Sequence, residues 1–313
     1  MTTTPLTVAV LGPGGVGGLI GALLARDGHR VICLAGEETA AVIARDGLHV
    51  RSARFGEFTA RVEAATELRE PVDVAFVTVK EPALPAALDR IPPQALGPGL
   101  VVPLLNGLDH VAALREHYPA ARVAAGTIRV EATRTAPGRI EHFGPFAALE
   151  VAAAPAETTE ATAAADATAT DIDELADRLR HAGLDVTVRA DESAMLWSKL
   201  CFLAPFALLT TRYRADSGTI RTEHRKQLVA VLEEITAVAR AEGAPESAEA
   251  VLSVFDHAPG GMKSSMQRDA EAGRALELDA IGGAVLRAAA RHGIEAPVIA
   301  ELVRELSESP SGR

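Results

Sequence analysis

Cysteine is scarce in this sequence, which contains only 2 among 313 residues. Cys33 falls in a segment expected to be a strand and Cys201 in an apolar segment, and neither lies in a close cluster with another cysteine or a histidine. This spacing argues against a disulfide framework and against a zinc site. We therefore expect no metal centre.

The sequence also lacks a long apolar run and an excess of positive charge, and we expect no secretory signal. No uninterrupted apolar stretch reaches the roughly 20 residues that span a bilayer. The N-terminus MTTTPLTVAV has no basic segment ahead of an apolar one. The formal net charge of −11 opposes binding to DNA or to anionic membranes. We expect a cytoplasmic protein that binds neither nucleic acid nor membrane.

Strands and helices alternate over the first part of the chain. The pattern predicts strands at 6–11, 30–34, 72–80, 99–107 and 122–130, with helical segments between several of them. Such alternation indicates a parallel sheet with right-handed crossovers, which is an α/β, doubly wound, Rossmann-type domain.

The remainder of the chain reads differently. Residues 139–153 are predicted to form strands with a turn, 154–170 an Ala/Thr-rich flexible insertion, and 171–183 an amphipathic helix capped by Asp171. After residue 190 only helices are predicted. We therefore divide the chain into a dinucleotide-binding domain, 1–190, and an all-helical substrate and catalytic domain, 191–313.

A glycine loop joins the first predicted strand to the first helix. It reads Gly12-x-Gly14-x-x-Gly17. In this context Gly12 permits a tight turn, Gly14 lets the backbone approach a pyrophosphate, and Gly17 lets the helix pack on the strand. The N–H groups at the start of the helix then face the phosphates. The alternative is an ordinary glycine-rich turn.

The residues after the second strand bear on the choice of dinucleotide. Glu37 and Glu38 follow this strand, and no arginine does. An acidic residue suits the ribose hydroxyl of NAD, whereas an arginine suits the 2′-phosphate of NADP. These residues favour NAD, although surface acids unrelated to a cofactor would look the same.

Lys199 carries the single charge in the segment MLWSKLCFLAPFALLTT, residues 195–211. On a helix, its neighbours one turn away would all be apolar. Burial lowers the pKa of an amine and brings proton transfer within reach of neutral pH. A lysine can also lie along apolar surface and extend its amine into water, so two interpretations stay open.

Several other polar residues are candidates for the same site. Asn106 and Lys80 end predicted strands, where ligands bind in doubly wound sheets. Glu277 stands alone between two leucines, and Ser264 with Ser265 precedes it. Each has a structural alternative: a turn residue, a surface lysine, a first-turn acid and a helix cap, respectively.

Taken together, these segments resemble the ketopantoate reductase (2-dehydropantoate 2-reductase) family over most of the chain. The motifs that carry the resemblance are GPGGVGG, VTVK, NG, PGRIEHFG, WSKL, SSMQRDAEAGRALELDAIGG and HGIEAP. The resemblance implies a Rossmann domain followed by a helical domain, with the active site in the cleft between them. It also implies reduction of a 2-oxo acid, ketopantoate to pantoate in pantothenate biosynthesis, with a nicotinamide cofactor that is usually NADPH.

The resemblance also implies roles for individual residues. Lys199 corresponds to the general acid that protonates the forming alkoxide, and Glu277 to the carboxylate near the nicotinamide and the lysine. The positions that correspond to cofactor contacts are Gly12, Pro13, Gly14, Gly15, Val16, Gly17, Lys80, Asn106, Ala132 and Glu277. Those that correspond to substrate contacts are Lys199, Ser217, Ser264 and Ser265.

Three residues depart from the family pattern. The family usually has asparagines four and eight residues after the lysine, where this chain has Leu203 and Ala207. Their absence leaves open a more apolar 2-oxo acid or ketone as substrate. The arginine that the family carries after strand 2 is Gly36 here, so NAD(H) is possible beside NADP(H).

Our leading hypothesis is therefore an NAD(P)H-dependent 2-oxo acid reductase. A β-hydroxyacid dehydrogenase shares the architecture and also uses a lysine, but the SSM…ELD stretch argues against it. A third hypothesis is a non-catalytic NAD(P)H-binding sensor, which the missing asparagines weakly support. The oligomeric state is left open, with a homodimer as one option.

Overall fold

The computed structural model describes residues 4–155 and 162–309, and the chain divides into two compact units. The first unit comprises Met1–Leu105 and His110–Glu192, and the second comprises Asn106–Asp109 and Ser193–Arg313. The short segment Asn106–Asp109 thus belongs to the second unit, although the stretches on either side of it belong to the first.

Two sheets form the framework of the first unit. Its strands are β1 Thr7–Leu11, β2 Arg30–Leu34, β3 Leu48–Ser52, β4 Gly56–Ala60, β5 Glu63–Ala65, β6 Val74–Val77, β7 Leu100–Pro103, β8 Ala125–Ala136, β9 Arg139–Ala152 and β10 Asp185–Arg189. The first sheet is parallel and has the order β5-β2-β1-β6-β7. The second has the order β10-β9-β3-β4, and β8 pairs with β9.

Helices cover the parallel sheet, as a doubly wound fold requires. They are α1 Gly15–Arg26, α2 Glu37–Asp46, α3 Leu84–Leu88, α4 Pro93–Leu96, α5 Asp109–His117 and α6 Thr162–His181. Along β1, Val8 and Val10 enter one apolar cluster while Ala9 and Leu11 enter another. Both faces of the sheet are therefore buried, which explains why its central strands are apolar throughout. The predicted fold class is confirmed.

The second unit is helical. Its elements are α7 Glu192–Tyr213, α8 Ser217–Glu223, α9 Arg225–Ala241, α10 Ala248–His257, α11 Ser265–Glu271, a π-helical turn Asp279–Gly283, α12 Ala284–Arg291 and α13 Pro297–Glu308. The apolar stripe of α9 is fully buried, as its spacing predicts: Leu228, Val231, Ile235 and Val238. Most of α7 lies inside the core of this unit.

Three local expectations were wrong or incomplete. Of the predicted flexible insertion 154–170, residues 156–161 lie outside the described residues, but Thr162 already begins α6. Asp171 lies inside this helix and pairs with Arg122 at 2.7 Å instead of capping it. Segment 139–153 is one long strand with a register shift, not strands with a turn. Alanine favours helix strongly, so an Ala-rich stretch extends α6.

Helix α7 also qualifies the expectation that no segment could span a bilayer. By length and composition alone this helix could cross a membrane, but 67% of its most apolar window is buried inside the protein. The core helix of a globular protein meets the same criteria. The apolar character of α7 is accounted for by the core that surrounds it.

Candidate active site

The glycine loop of the first unit is built so that its glycines cannot be replaced freely. Gly12 has a positive φ of 83°, which favours glycine. A Cβ on Gly17 would lie 2.2 Å from Oγ1 of Thr78, and one on Gly15 would lie 2.2 Å from the carbonyl oxygen of Ala132. These glycines allow α1 to pack closely against β6 and β8.

Gly14 differs from its neighbours because it faces open space. A Cβ on this residue would have a single neighbour within 4 Å, the carbonyl oxygen of Gly12 at 3.8 Å. Gly14 is also the N-cap of α1, with no side-chain cap and no acidic residue in the first turn. The first N–H groups of α1 therefore have no helical acceptor, and they fit the phosphates of a dinucleotide.

Two residues lie against the backbone of this loop: Thr78, which was not identified from the sequence, and Ala132, which was expected as a cofactor contact. The hydroxyl of Thr78 donates to the carbonyl oxygens of Leu11 and Gly12, at 3.0 and 2.8 Å. It thereby fixes the turn that follows β1. Ala132 contributes through its backbone, which approaches the loop too closely for any residue but glycine at position 15. The VTVK motif was the only sequence signal for Thr78.

The remaining predicted cofactor residues of the first unit lie around the same sheet edge. Lys80 is exposed and follows β6, which neighbours β1 in the sheet. Pro13 is buried in the loop, and Val16 is half-buried in the first turn of α1. The structure therefore places these residues with the glycine loop.

An arginine reaches the end of β2 from a distant part of the chain. Nη1 of Arg90 donates to the carbonyl oxygens of Ala35 and Thr66, at 3.1 and 2.7 Å. Arg90 lies 55 residues from Ala35 in the chain, so its place at this strand end could not be predicted from the residues that follow β2. Gly36 and the two glutamates of the first turn of α2, Glu37 and Glu38, are exposed there.

In the second unit, Lys199 lies on α7 with its side chain half-buried. Its Nζ donates a hydrogen bond of 3.1 Å to Oδ1 of Asn106. Nδ2 of Asn106 in turn donates to Oε2 of Glu277 at 3.4 Å. One amide therefore faces the ammonium with its oxygen and the buried carboxylate with its nitrogen. The structure brings together the three side chains that the sequence named separately.

A tight backbone contact fixes the segment that carries Asn106. The next residue, Gly107, has a φ of +90°, and a Cβ there would lie 2.1 Å from the carbonyl oxygen of Ala280. Ala280 belongs to the π-helical turn that begins two residues after Glu277. Such turns are frequent at functional sites. The positions of Asn106 and Glu277 are therefore linked by backbone as well as by side chains.

The three predicted substrate serines differ in their surroundings. Ser217 is buried and donates to the carbonyl oxygens of Pro259 and Gly260. Ser264 is buried, caps α11 and bonds to Oγ1 of Thr210 at 2.8 Å. Ser265 is exposed. The hydroxyls of Ser217 and Ser264 are thus used in hydrogen bonds within the protein, whereas Ser265 is exposed to solvent.

This arrangement is suited to proton donation. An ammonium group next to a neutral amide and a carboxylate can transfer a proton to an oxygen that gains negative charge. The thiols do not compete as reactive groups, because burial raises the pKa of both Cys33 and Cys201 to about 12. Among the described residues, this cluster best matches acid catalysis on a carbonyl.

Comparison with known families accounts for nearly all of the chain. The family model described as ketopantoate reductase PanE/ApbA matches residues 8–155, and the model of the C-terminal part of the same family matches residues 191–309. A 2-dehydropantoate 2-reductase of Caulobacter vibrioides is 31% identical, and the alignment covers 96% of this chain and 98% of that protein.

Solved structures share the same fold. The crystal structure of a 2-dehydropantoate 2-reductase from Geobacter metallireducens is 29% identical, with a TM-score of 0.85 over 97% of this chain and 99% of that one. A ternary structure of D-mandelate dehydrogenase with NADH and anilino(oxo)acetate is 22% identical, with a TM-score of 0.86 and 98% of each chain covered. At that identity the second likeness speaks to the fold alone.

Proposed function

Because the chain belongs to the ketopantoate reductase PanE/ApbA family, we propose that it reduces the keto group of a small 2-oxo acid to a 2-hydroxy acid. It is an oxidoreductase of the 2-dehydropantoate 2-reductase type, acting on C=O and CH–OH groups. The observation that carries the proposal is the hydrogen bond from Lys199 to Asn106, which also contacts the buried Glu277.

A nicotinamide dinucleotide would supply the hydride for this reduction. The glycine loop fits such a cofactor, because Gly14 leaves open space beside the uncapped start of α1. Gly12, Gly15 and Gly17 keep the loop against the sheet, and Thr78 fixes its turn. These residues would bind the pyrophosphate and orient the dinucleotide along the carboxyl ends of the strands.

The residues of the second unit would supply the proton. Lys199 donates a proton from Nζ to the keto oxygen as that oxygen becomes an alkoxide, and the product is a neutral hydroxyl. Asn106 holds the amine through Oδ1 and so limits the orientations it can adopt. Glu277 accepts from the other end of the amide and so fixes its orientation.

We further propose NADH as the preferred dinucleotide. The end of β2 presents two exposed carboxylates, Glu37 and Glu38, which suit a ribose hydroxyl and repel a 2′-phosphate. The arginine at this edge, Arg90, has its Nη1 occupied by two backbone carbonyls. The balance of charge at this strand end therefore favours the dinucleotide that lacks the phosphate.

Two variants test the two halves of the proposal separately. Lys199→Met should reduce turnover of a 2-oxo acid at least about a hundredfold. It should leave the affinity for the dinucleotide unchanged. Gly14→Ala should fold normally, because its Cβ meets no close atom, yet bind dinucleotide at least about tenfold more weakly, since the methyl occupies the space beside the N–H groups. Cofactor affinity is read from nicotinamide fluorescence without substrate.

The outcomes are separable. Undiminished turnover in Lys199→Met would remove the lysine from the proposed role. Undiminished cofactor affinity in Gly14→Ala would show that the glycine loop is not the dinucleotide site. Absence of carbonyl-dependent cofactor oxidation across a broad panel of 2-oxo acids would refute the reductase function itself.

A further inference from the structure

The face of α7 that carries Lys199 continues with hydrocarbon side chains. Residues four and eight positions further on a helix lie on the same side, and these are Leu203 and Ala207. Leu203 is half-buried and Ala207 fully buried. Both side chains are hydrocarbon, so this face has no side-chain polar atom at either position.

A second apolar group strengthens this feature. Phe202, also one turn from Lys199, is half-buried, and its ring packs on Phe206 and Phe255 at centroid distances of 5.6 and 4.6 Å. These contacts with Phe206 and Phe255 fix the position of the Phe202 ring. Leu203 and Phe202 together therefore form a partly exposed apolar surface, here called the α7 apolar surface, beside the amine.

The polar groups near this surface already have partners. The amide of Asn106 joins Lys199 and Glu277. At the far end of the same helix face, Thr210 bonds to Ser264, and the next residue, Ser265, is exposed. A substrate side chain lying on the α7 apolar surface meets only hydrocarbon.

We infer that the substrate is a 2-oxo acid whose side chain is a branched or aromatic hydrocarbon, and that Leu203 sets this preference. The inference rests on the proposed reductase function. A hydroxyl on the substrate side chain loses its hydrogen bonds to water when it is buried on this surface, and nothing there replaces them. A methyl group in the same place gains by leaving water.

A matched pair of substrates tests the inference. Ketopantoate and 3,3-dimethyl-2-oxobutyrate differ only in the 4-hydroxyl, which the second compound lacks. The unmodified enzyme should show kcat/KM at least about tenfold higher for 3,3-dimethyl-2-oxobutyrate. Leu203→Asn introduces an amide at this position, so the ratio of the two kcat/KM values should shift at least about tenfold toward ketopantoate, mainly through KM.

Two further variants complete the experiment. Leu203→Thr introduces a smaller polar side chain and should shift the ratio in the same direction if the asparagine variant folds poorly. Leu252→Asn, at a half-buried leucine of α10 in the same unit, is the control and should leave the ratio unchanged.

Each outcome decides a different question. Equal or faster reduction of ketopantoate, or a ratio that does not move in either Leu203 variant, would overturn the inferred substrate class while leaving the reductase function intact. Reduction of neither compound, and of no other 2-oxo acid with either dinucleotide, would refute the proposed function, and the inferred substrate class with it.

Discussion

At the scale of single residues, the amide of Asn106 lies between two groups of opposite charge. Its oxygen accepts from the Lys199 ammonium, and its nitrogen donates toward the Glu277 carboxylate. Reversing the amide would place like charges together at both ends, so this orientation is strongly favoured. We propose that Asn106 is a positioning residue for the amine.

We predict that Asn106→Ala lowers kcat about ten- to a hundredfold, because the amine then samples orientations that do not reach the keto oxygen. Asn106→Gln, which keeps an amide, should recover part of the loss. Steady-state kinetics separate kcat from KM in both variants. An alanine variant as fast as the unmodified enzyme, at unchanged stability, would show that the amide does not position Lys199.

His29 is a second residue of interest, because its burial should make the stability of the protein depend on pH. Its Nδ1 accepts a hydrogen bond of 3.0 Å from the N–H of Leu6, so the ring is neutral in the folded protein. The pKa of His29 is lowered from 6.5, first by burial, then by Arg178 and His181, with Asp27 acting in the opposite direction. The folded state therefore resists protonation of this ring.

The sign of the pH effect follows from linkage. The unfolded chain takes up the His29 proton near its ordinary pKa of 6.5, and the folded protein does so only at lower pH. Stability should therefore fall as the pH drops below about 6.5. His29→Asn keeps an acceptor for Leu6 and should flatten this dependence between pH 6.5 and 5 in thermal unfolding. His257→Asn, at an exposed histidine, should retain it.

The sequence revealed a residue's importance where its type was unusual for its surroundings. Lys199 was identified because a charge stood in an apolar segment, and Gly12, Gly14 and Gly17 because their spacing follows a strand. Arg90 could not be identified this way. Its hydrogen-bond partners, Ala35 and Thr66, are 55 and 24 residues away in the chain. Only tertiary structure brings them together.

At the scale of elements, the C-terminal end of α7 carries a backbone conformation that is unfavourable for its residue. Arg214, directly after the helix, has a φ of 52°, the only positive value for a non-glycine residue in the described part of the chain. Ala215 donates to the carbonyl oxygen of Thr210 at 3.2 Å, which is the bond of a Schellman motif. Glycine is the preferred residue at this position.

We predict that Arg214→Gly stabilises the protein by about 0.5–1 kcal/mol, because glycine adopts the left-handed conformation without strain. Scanning calorimetry should show the increase. Gly28→Ala provides the converse control: its φ is +94°, and an added Cβ meets nothing within 4 Å, so only backbone strain should destabilise it. A destabilised Arg214→Gly would mean that the arginine side chain makes a compensating contribution.

Element prediction succeeded where burial was complete on both faces of a strand. β1, β2 and β6 lie within segments predicted from their apolar runs. β3, β4 and β5 were missed: β3 alternates buried and more exposed residues, and β4 and β5 are short and largely exposed, so none of the three has a continuous apolar run. The π-helical turn at Asp279–Gly283 was expected to be ordinary helix, because a buried apolar stripe at helical spacing runs across it: Leu278, Ile281, Val285 and Ala288.

At the scale of the whole molecule, the chain carries a dinucleotide-type loop in one unit and the amine cluster in the other. Ligand that binds only the folded protein stabilises it by about 2.7 kcal/mol at one hundred times its dissociation constant. NADH should therefore raise the melting temperature more than NADPH does at equal concentration. Lys199→Met should give the same shift, and Gly14→Ala at most about half of it, because a tenfold loss of affinity lowers the stabilisation to about 1.4 kcal/mol.

Gly36→Arg should reverse the order of the two dinucleotides. The backbone at Gly36 has φ −63° and ψ 156°, which arginine adopts without strain, and an added Cβ meets nothing within 4 Å. The new guanidinium can pair with the 2′-phosphate. A larger shift with NADPH in the unmodified protein, lost in Arg90→Met, would instead assign the phosphate to Arg90.

The division of the chain was only partly visible in the sequence. The change from alternating strands and helices to helices alone marks the region near residue 190. The membership of Asn106–Asp109 in the second unit left no such signal. It depends on contacts such as the one between Gly107 and Ala280, which are 173 residues apart in the chain.

The contact between Gly107 and Ala280 also distinguishes positions that can change during evolution from positions that cannot. A side chain at position 107 would clash with the Ala280 carbonyl oxygen. We therefore expect glycine to be retained there whichever 2-oxo acid is the substrate. Position 203 borders solvent and carries no such constraint. Variants of this protein, whether natural or selected in the laboratory, should therefore differ in substrate preference while they keep the same proton donor.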